Sequence, residues 1–515
     1  MPAKKRSKKS TSRKSVAFSS NSANASTRKT ARGGRRRLSA KKRAGKRGTA
    51  ANLRSGSKVM VINMIPQALS FETNQDSEPT LAVNPANPNQ IAGSAFTPDA
   101  FGGRRAPIFV SNDGGVTWFI NTILPTVATG DITVAFGSKT NKLYAGILRD
   151  SSGDMEVFRT DDFAGPQVMK RLMRRVGPDQ PYTQAVTMPG GPGAGKDALY
   201  VGNNADSGPD GQTATIDLSL NASANAPRFK QAGVATRSIE SNGASIRPAC
   251  HTDGTIYAAF YDHRDSRGSF DNNTLFITSA DVVVVRDDNW GKGLRPFTDL
   301  IDPGDGSAGI RVVQNIAFPY QSTGDNIPGQ QRTGGDIAIA TDPNNSSIVY
   351  LAYADKLPGS DYTMHVRFSK DRGETWSADV LTIPKAINCG LAIDSDGRVG
   401  LLCQQLVGAG AALRWVTQLQ RIRNGAITKF ILASVPADSP VLDFDPYLGD
   451  YAHLQAVGRD FFGIFSANNT PDLANFPSGV VFQRNHDFNT STLFDVDGTT
   501  PVNISIDPFF FKVSR

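Results

Sequence analysis

One pattern recurs along this 515-residue chain and constrains its fold more than anything else in it. A polar or acidic residue opens an alternating apolar strand. A polar turn follows, and a second strand ends in small or aromatic residues. Copies begin at Glu78 (EPTLAVNPANPNQIAGSAF), Asp131 (DITVAFGSKTNKLYAGIL), Gln184 (QAVTMPGGPGAGKDALYVG) and Ser245 (SIRPACHTDGTIYAAFYD). Three more begin at Asp336 (DIAIATDPNNSSIVYLAYAD), Asn388 (NCGLAIDSDGRVGLLCQQ) and Asp450 (DYAHLQAVGRDFFGIFSAN). Successive copies stand 53, 53, 61, 91, 52 and 62 residues apart. Each reads as two antiparallel strands joined by a turn rich in Asn, Asp, Gly and Pro. Each interval leaves room for a second strand pair. Four strands in each unit, repeating every 40–60 residues or so, is the pattern of propeller blades. A lone blade leaves both faces wet, whereas a ring of blades buries them and leaves only short edges.

The predicted fold is therefore all-β, a seven-bladed β-propeller over residues 59–515, or six-bladed if the copy at Gln184 is not a blade. No helical periodicity of useful length appears between Val59 and Arg515. Val59-Met60-Val61-Ile62 and the stretch 503–513 are candidates for the strand that closes the ring. The long fourth step implies an insertion within 291–334, where Asp302-Pro303-Gly304-Asp305-Gly306 marks a possible lid. A hydrophobic share of 39% is enough for a real core, and 49 Gly with 30 Pro suits a chain of many turns. Three cysteines exclude a disulfide scaffold and a Cys-rich zinc module. Five histidines without an HExxH exclude a zincin-type site, so neither metal nor cofactor is expected. No window approaches the roughly 18 apolar residues of a membrane span.

Charge is segregated. Residues 1–58 hold 20 Lys and Arg and no Asp or Glu, leaving 36 basic residues against 47 acidic ones in the rest. Runs such as Arg35-Arg36-Arg37 and Lys41-Lys42-Arg43 sit among Ser, Thr, Ala and Gly. Such a segment buries too little apolar surface to offset its ordering entropy, so a disordered tail is expected. Its chemistry suits a nucleic acid or another polyanion, bound through counterion release without sequence reading. A solubilising leader is the alternative. Arg36-Arg37-Leu38-Ser39 lacks the apolar stretch that an export signal needs, and the absence of a recognisable signal peptide favours an intracellular protein.

The residues that open the copies are candidates for a ring around the axis. Aligned on the first strand they are Glu78, Asp131, Gln184, Ser245, Asp336, Asn388 and Asp450, with Arg247 and Tyr451 close by. Carboxylates there would hold a cation or sugar hydroxyls, Arg247 an anionic group, and Tyr451 would stack or attack. Converging carboxylates raise one another's pKa, which suits acid/base work by Asp131 and Asp336. Glu78, Arg247, Asn388 and Asp450 are the expected ligand-binding groups. The competing reading is structural: polar residues at strand ends cap neighbouring loops. Tyr261-Asp262-His263-Arg264-Asp265 is expected to be a salt-bridged loop, and Asp443, Asp445 and Tyr447 are further candidates for the mouth.

Two segments carry a family resemblance. Ser111-Asn112-Asp113-Gly114-Gly115-Val116-Thr117-Trp118 and Ser369-Lys370-Asp371-Arg372-Gly373-Glu374-Thr375-Trp376 both fit Ser-x-Asp-x-Gly-x-Thr-Trp. They resemble the Asp-box, or BNR, motif of sialidase-superfamily β-propellers. Weaker relics are Arg159-Thr160-Asp161-Asp162-Phe163 and Arg286-Asp287-Asp288-Asn289-Trp290. The physics of the box is structural. Asp113 and Asp371 accept backbone N–H bonds, Gly115 and Gly373 take a positive φ, and Trp118 and Trp376 pack under the turn. The resemblance implies a sialidase-like propeller that recognises a glycan or a protein ligand at its central mouth. The family's enzymes are glycoside hydrolases with three arginines on the substrate carboxylate, a Tyr nucleophile and an Asp acid/base. Their early Arg-Ile-Pro signature has two partial counterparts here, Arg105-Ala106-Pro107 and Ile246-Arg247-Pro248, and no arginine triad is recognisable. A third reading is a structural protein associated with nucleic acid. Gly190-Gly191-Pro192-Gly193-Ala194-Gly195-Lys196-Asp197 mimics a P-loop, but a strand follows it, so it reads as a hairpin turn. Cys389 and Cys403 are expected to be buried free thiols.

Overall fold

The computed structural model describes residues 56–515 apart from 98–99, 102, 104, 150–152, 209–210, 236–245, 270–273, 321–335 and 441–446. Nearly all of the basic segment 1–58 lies outside the described residues, as do Ser245, Asp443 and Asp445. Among the described residues the only helical elements are single 3-10 turns such as Gln67–Leu69 and Leu473–Asn475.

Strands pair antiparallel in chain order, four at a time. The first sheet is Ser77–Val83, Ile91–Phe96, Ala106–Ser111 and Phe119–Leu124. The second is Ile132–Phe136, Leu143–Arg149, Asp154–Thr160 and Lys170–Val176. The third is Asp179–Thr187, Asp197–Gly208, Gly211–Ser219 and Lys230–Gly233. The fourth is Arg247–Cys250, Ile256–Arg267, Phe276–Asp287 and Ile310–Pro319. The fifth is Ile337–Asp342, Asn345–Asp355, Thr363–Ser369 and Leu381–Pro384. The sixth is Ala386–Ile393, Val399–Val407, Arg414–Arg423 and Ala426–Pro436. The closing sheet joins His453–Val457 and Asp460–Asn468 to both ends of the described chain, Ile506–Ser514 and Lys58–Asn63. These last two strands pair from Lys58 with Ser514 to Asn63 with Phe509, so both candidate closing stretches meet in one sheet. Val481–Phe482 adds in parallel outside Lys58–Asn63 and blunts that edge.

The first strand of each sheet lies beside the first strands of its neighbours, and His453–Val457 lies beside Ser77–Val83. The sheets therefore close into a ring, a β-propeller. Because each sheet is covered on both faces, inner strands such as SEPTLAV, ITVAF and AINCGLAI are buried at every position. Apolar layers fill the gaps, for example Ile108, Val134 and Phe136, or Tyr200, Phe260 and Phe297. Each such side chain contributes about 1.5–3 kcal/mol. Side chains also tie one inner strand to the next. The Val134 N–H donates to Thr80 Oγ1 (3.1 Å) and the Thr183 N–H to Thr133 Oγ1 (2.8 Å). Gln455 accepts the Val83 N–H (2.8 Å) and donates to its carbonyl (3.2 Å), completing the tie across the closing sheet. These bonds satisfy inner-edge backbone groups that no further strand pairs.

The two Ser-x-Asp-x-Gly-x-Thr-Trp turns occupy equivalent places, between the third and fourth strands of the first and fifth sheets. Asp113 accepts the Thr117 N–H (3.0 Å) and hydroxyl (2.6 Å), and Ser111 Oγ accepts the Gly115 N–H (2.9 Å). Trp118 Nε1 donates to the Gly115 carbonyl (3.0 Å). Asp371, Ser369, Gly373 and Trp376 repeat these bonds. Partial burial works against ionisation of Asp371, but its bonds from Thr375 and Ser369 win and hold it at about 2. Gly115 has φ of 90°, and a Cβ there would lie 2.0 Å from the Phe510 ring, so no other residue fits.

Two local expectations change. Tyr261–Asp265 is part of the long strand Ile256–Arg267, with Tyr261, Asp262 and His263 buried, so it is no solvated loop. The Asp302–Gly306 cluster lies between the third and fourth strands of the fourth sheet, at the same end as the box turns. That end is opposite the starts of the inner strands, so this part of the insertion is no lid over them.

Candidate functional site

The inner strands begin at one end of the ring, and the structure places the predicted polar residues there with distinct tasks. Glu78 and Asn388 have φ of 48° and 57° and sit in register shifts that start their strands. The third sheet has the same feature at Gln180 (φ 50°), with Gln180-Pro181 repeating Glu78-Pro79. Gln184 thus lies four residues inside the strand, and the third copy starts earlier than its sequence pattern suggested. Glu78 Oε1 accepts the Asp450 N–H (3.1 Å). Asp336 accepts the Asn388 N–H (2.9 Å) and the Tyr362 hydroxyl (2.9 Å), and Asn388 donates to Gln404 (2.7 Å). Glu78 and Asp336 therefore cap backbone of a neighbouring sheet. Asp131 is buried nearby, and its charge acts on Tyr451.

Below this rim, side chains from three sheets cross the axis. The Arg247 guanidinium is 4.5 Å from the Tyr182 ring centroid and 5.4 Å from that of Tyr451. His453 meets Tyr182 edge-on at 5.1 Å and Tyr451 at 6.1 Å. Arg247 is only 3% exposed, so its charge sits between π faces in a low dielectric, where such contacts are strongest. Tyr182 and His453 were not singled out in the sequence. His453 follows Tyr451 by one strand period, the only signal that pointed to it. Tyr182 comes from the far side of the ring.

Burial, then the charges of Glu78 and Asp131, push the Tyr451 phenol well above its ordinary value, with Arg247 working the other way. Burial also raises Asp336 to about 7, against its bonds from Tyr362 and Asn388 and the charge of Arg247. Desolvation is the cause, not the mutual repulsion of carboxylates expected from the sequence. The sign follows. A carboxyl near 4 in the unfolded chain that rises to about 7 on folding favours the fold fully below about pH 4 and loses that advantage as pH climbs through about 7. Asp336→Asn keeps an acceptor for the Asn388 N–H and carries no charge. It should flatten the fall in stability between pH 5 and 8, a difference on the order of a few kcal/mol in urea denaturation. Equal slopes in the two proteins would refute the assignment.

Under the plug, an axial cavity of about 220 Å³ runs from Tyr182 and His453 toward the far ends of the inner strands, with Phe136, Thr341 and Ile393 among its walls. Among the described residues no group of His, Cys, Asp and Glu is placed to hold a metal ion. No helix there is long and apolar enough to cross a membrane. Tyr447 is buried. Cys389 and Cys403 are buried free thiols. The P-loop mimic is the turn between Asp179–Thr187 and Asp197–Gly208, and Asp197 receives the hydroxyls of Thr140, Tyr144 and Thr187.

No family model and no curated protein matches the chain. Solved structures similar to it include a polysaccharide lyase, an ulvan lyase, at 10% identity and a TM-score of 0.45, covering 77% of this chain and 92% of that one. An α-L-arabinofuranosidase from Fusarium graminearum is 13% identical with a TM-score of 0.34, covering 73% and 91%. The NanB sialidase from Streptococcus pneumoniae is 10% identical with a TM-score of 0.35, covering 78% and 66%.

Proposed function

We propose that this chain is a seven-bladed, sialidase-like propeller that recognises a glycan carrying an acidic group at the mouth where its inner strands begin. The observation that carries this reading is Arg247, a buried cation braced between Tyr182 and Tyr451 beneath a rim of carboxylates and amides. Arginine suits an acidic substituent, aromatic faces suit sugar rings, and Glu78, Asp131, Asn388 and Asp450 suit hydroxyls. Asp113, Gly115 and Trp118, with Asp371, Gly373 and Trp376, serve as box turns that shape two blades away from that mouth. On a glycan array, the full chain should retain acidic glycans, and Arg247→Met should lower that binding at least tenfold while far-ultraviolet CD stays unchanged. Equal binding by the folded variant refutes the reading.

A glycoside hydrolase acting through Asp131, Asp336 and Tyr451 is the second reading, favoured by the Asp336 carboxyl at about 7, poised to donate a proton. A phenol held protonated by burial is a poor nucleophile, which favours binding over turnover. A panel of fluorogenic sialosides and hexosides should therefore stay flat. Turnover lost in Asp131→Asn or Asp336→Asn would reverse the order. Residues 1–58 are assigned to a polyanion such as nucleic acid. Affinity of the full chain for random duplex DNA should fall roughly a thousandfold or more between 50 and 200 mM salt, and Gln at Arg35, Arg36, Arg37, Lys41, Lys42 and Arg43 should flatten that slope.

A further inference from the structure

We propose that the axial cavity beneath the Tyr182–His453 pair is a second binding site, for a small carboxylate with a compact apolar body. It lies on the other side of the plug from the mouth and does not depend on the glycan reading. Its 220 Å³ exceeds what a single water needs and falls below the roughly 300–1,000 Å³ of pockets for larger ligands.

His453 is the anchor. The Leu81 N–H points at His453 Nδ1 (3.3 Å), so that nitrogen presents its lone pair and the ring proton resides on Nε2. Nε2 is buried and has no hydrogen-bond partner, and His453 lines the cavity. A buried donor left unmade costs about 1–3 kcal/mol, which a ligand oxygen would recover. The Tyr182 hydroxyl and the Gln184 amide make no hydrogen bond among the described residues, and both side chains also line the space. Arg247 stands 4.5 Å behind the Tyr182 ring and adds positive potential, while no Asp or Glu contributes to the wall. Burial holds His453 near 4, so the imidazole stays neutral at physiological pH and serves as a donor without its own counter-ion.

The walls select the body of the ligand. Leu81, Val134, Phe136, Ile339 and Leu391 supply apolar surface, and an alanine from every inner strand, from Ala82 to Ala456, keeps the bore open. Donors at the floor and hydrocarbon on the walls fit one carboxylate head and a ring-sized apolar tail.

The test uses the full-length protein and 4-bromobenzoate, with neutral 4-bromobenzamide beside it. Calorimetry should show saturable binding of the benzoate, at least tenfold tighter than the amide. His453→Asn retains an acceptor for the Leu81 N–H but removes the Nε2 donor, and should weaken the benzoate at least tenfold. Gln184→Leu, at a partly exposed position, is a second variant should the first misfold, and should weaken it several-fold. In soaked crystals the bromine anomalous peak should lie inside the cavity with the carboxylate on His453. A peak at the mouth beside Arg247, equal affinity for the amide, or no saturable binding would overturn the proposal.

Discussion

Replacing Arg484 by methionine should cost about 3–5 kcal/mol of stability, the usual penalty for breaking a buried ion pair from one side. The side chain is fully buried. Its guanidinium donates to Asp507 (3.0 Å) and to the carbonyls of Ser70 (2.6 Å) and Glu72 (2.6 Å). These contacts join the segment after Lys58–Asn63, the start of Ile506–Ser514 and the 469–505 connection, where the ring is closed. Asp507 would keep Asn63 and Asn469, but a carboxylate would remain in a dry site without its cation. Glu72 and Asp76 lie in the same cluster. Burial, then neighbouring carboxylates, already push both well above the ordinary range, and Arg484 is what lowers them. Without it they rise further, so the variant should lose stability more steeply with increasing pH. Urea denaturation at pH 5 and pH 8 measures both effects. In an Asp507→Asn background the cost should shrink, because the orphaned charge is gone. A loss under about 1 kcal/mol in the wild-type background would show that the cluster contributes little to closure.

Arg484 also marks the limit of what the sequence could say. The hairpin copies were legible because alternation has a period of two and the turns between them use Asn, Asp, Gly and Pro for known conformational reasons. The 469–505 connection has no repeat, and nothing in its sequence ties Arg484 to Asp507 or Ser70. The same contrast holds at the axis. Arg247 and Tyr451 were visible as chemistry near strand openings. Tyr182 was not, because its partners Arg247 and His453 come from other sheets, and only ring closure brings them together. Glu78 and Asp336 were visible as carboxylates, but their capping bonds to Asp450 and Asn388 depend on backbone that the sequence does not place. The misplaced start of the third copy had a readable remedy. Glu78-Pro79 and Gln180-Pro181 share one left-handed residue before proline, whereas the alternation alone ran on to Gln184.

The small residues that end the second strand of several copies also have a physical reason, and it sets the other large expected effect. Gly146 and Gly202 are where the next inner strand comes closest. A Cβ on Gly146 would lie 2.5 Å from Thr183 Oγ1, a side-chain atom with some freedom to move. On Gly202 it would lie 1.9 Å from the Ile246 carbonyl oxygen and 3.1 Å from Pro248 Cδ. That oxygen is backbone, immediately ahead of Arg247–Cys250, and the proline ring stiffens the chain behind it. The contact can be relieved only by moving the inner strand of the fourth sheet, which carries Arg247 away from Tyr182. Gly202→Ala should therefore cost at least the 1–3 kcal/mol typical of overpacking, or roughly 5–15 °C in the melting temperature of a small domain and less in a chain this long. It should also weaken whatever the mouth binds, because the plug loses its register. Gly190→Ala is the control: nothing lies within 4 Å of its Cβ, and its φ of −157° suits any residue. That substitution should be neutral or slightly stabilising, since alanine narrows the unfolded ensemble. Equal melting temperatures for the two variants would mean that the third and fourth sheets do not approach through Gly202, and the spacing of the ring at Arg247 would have to be set by other residues.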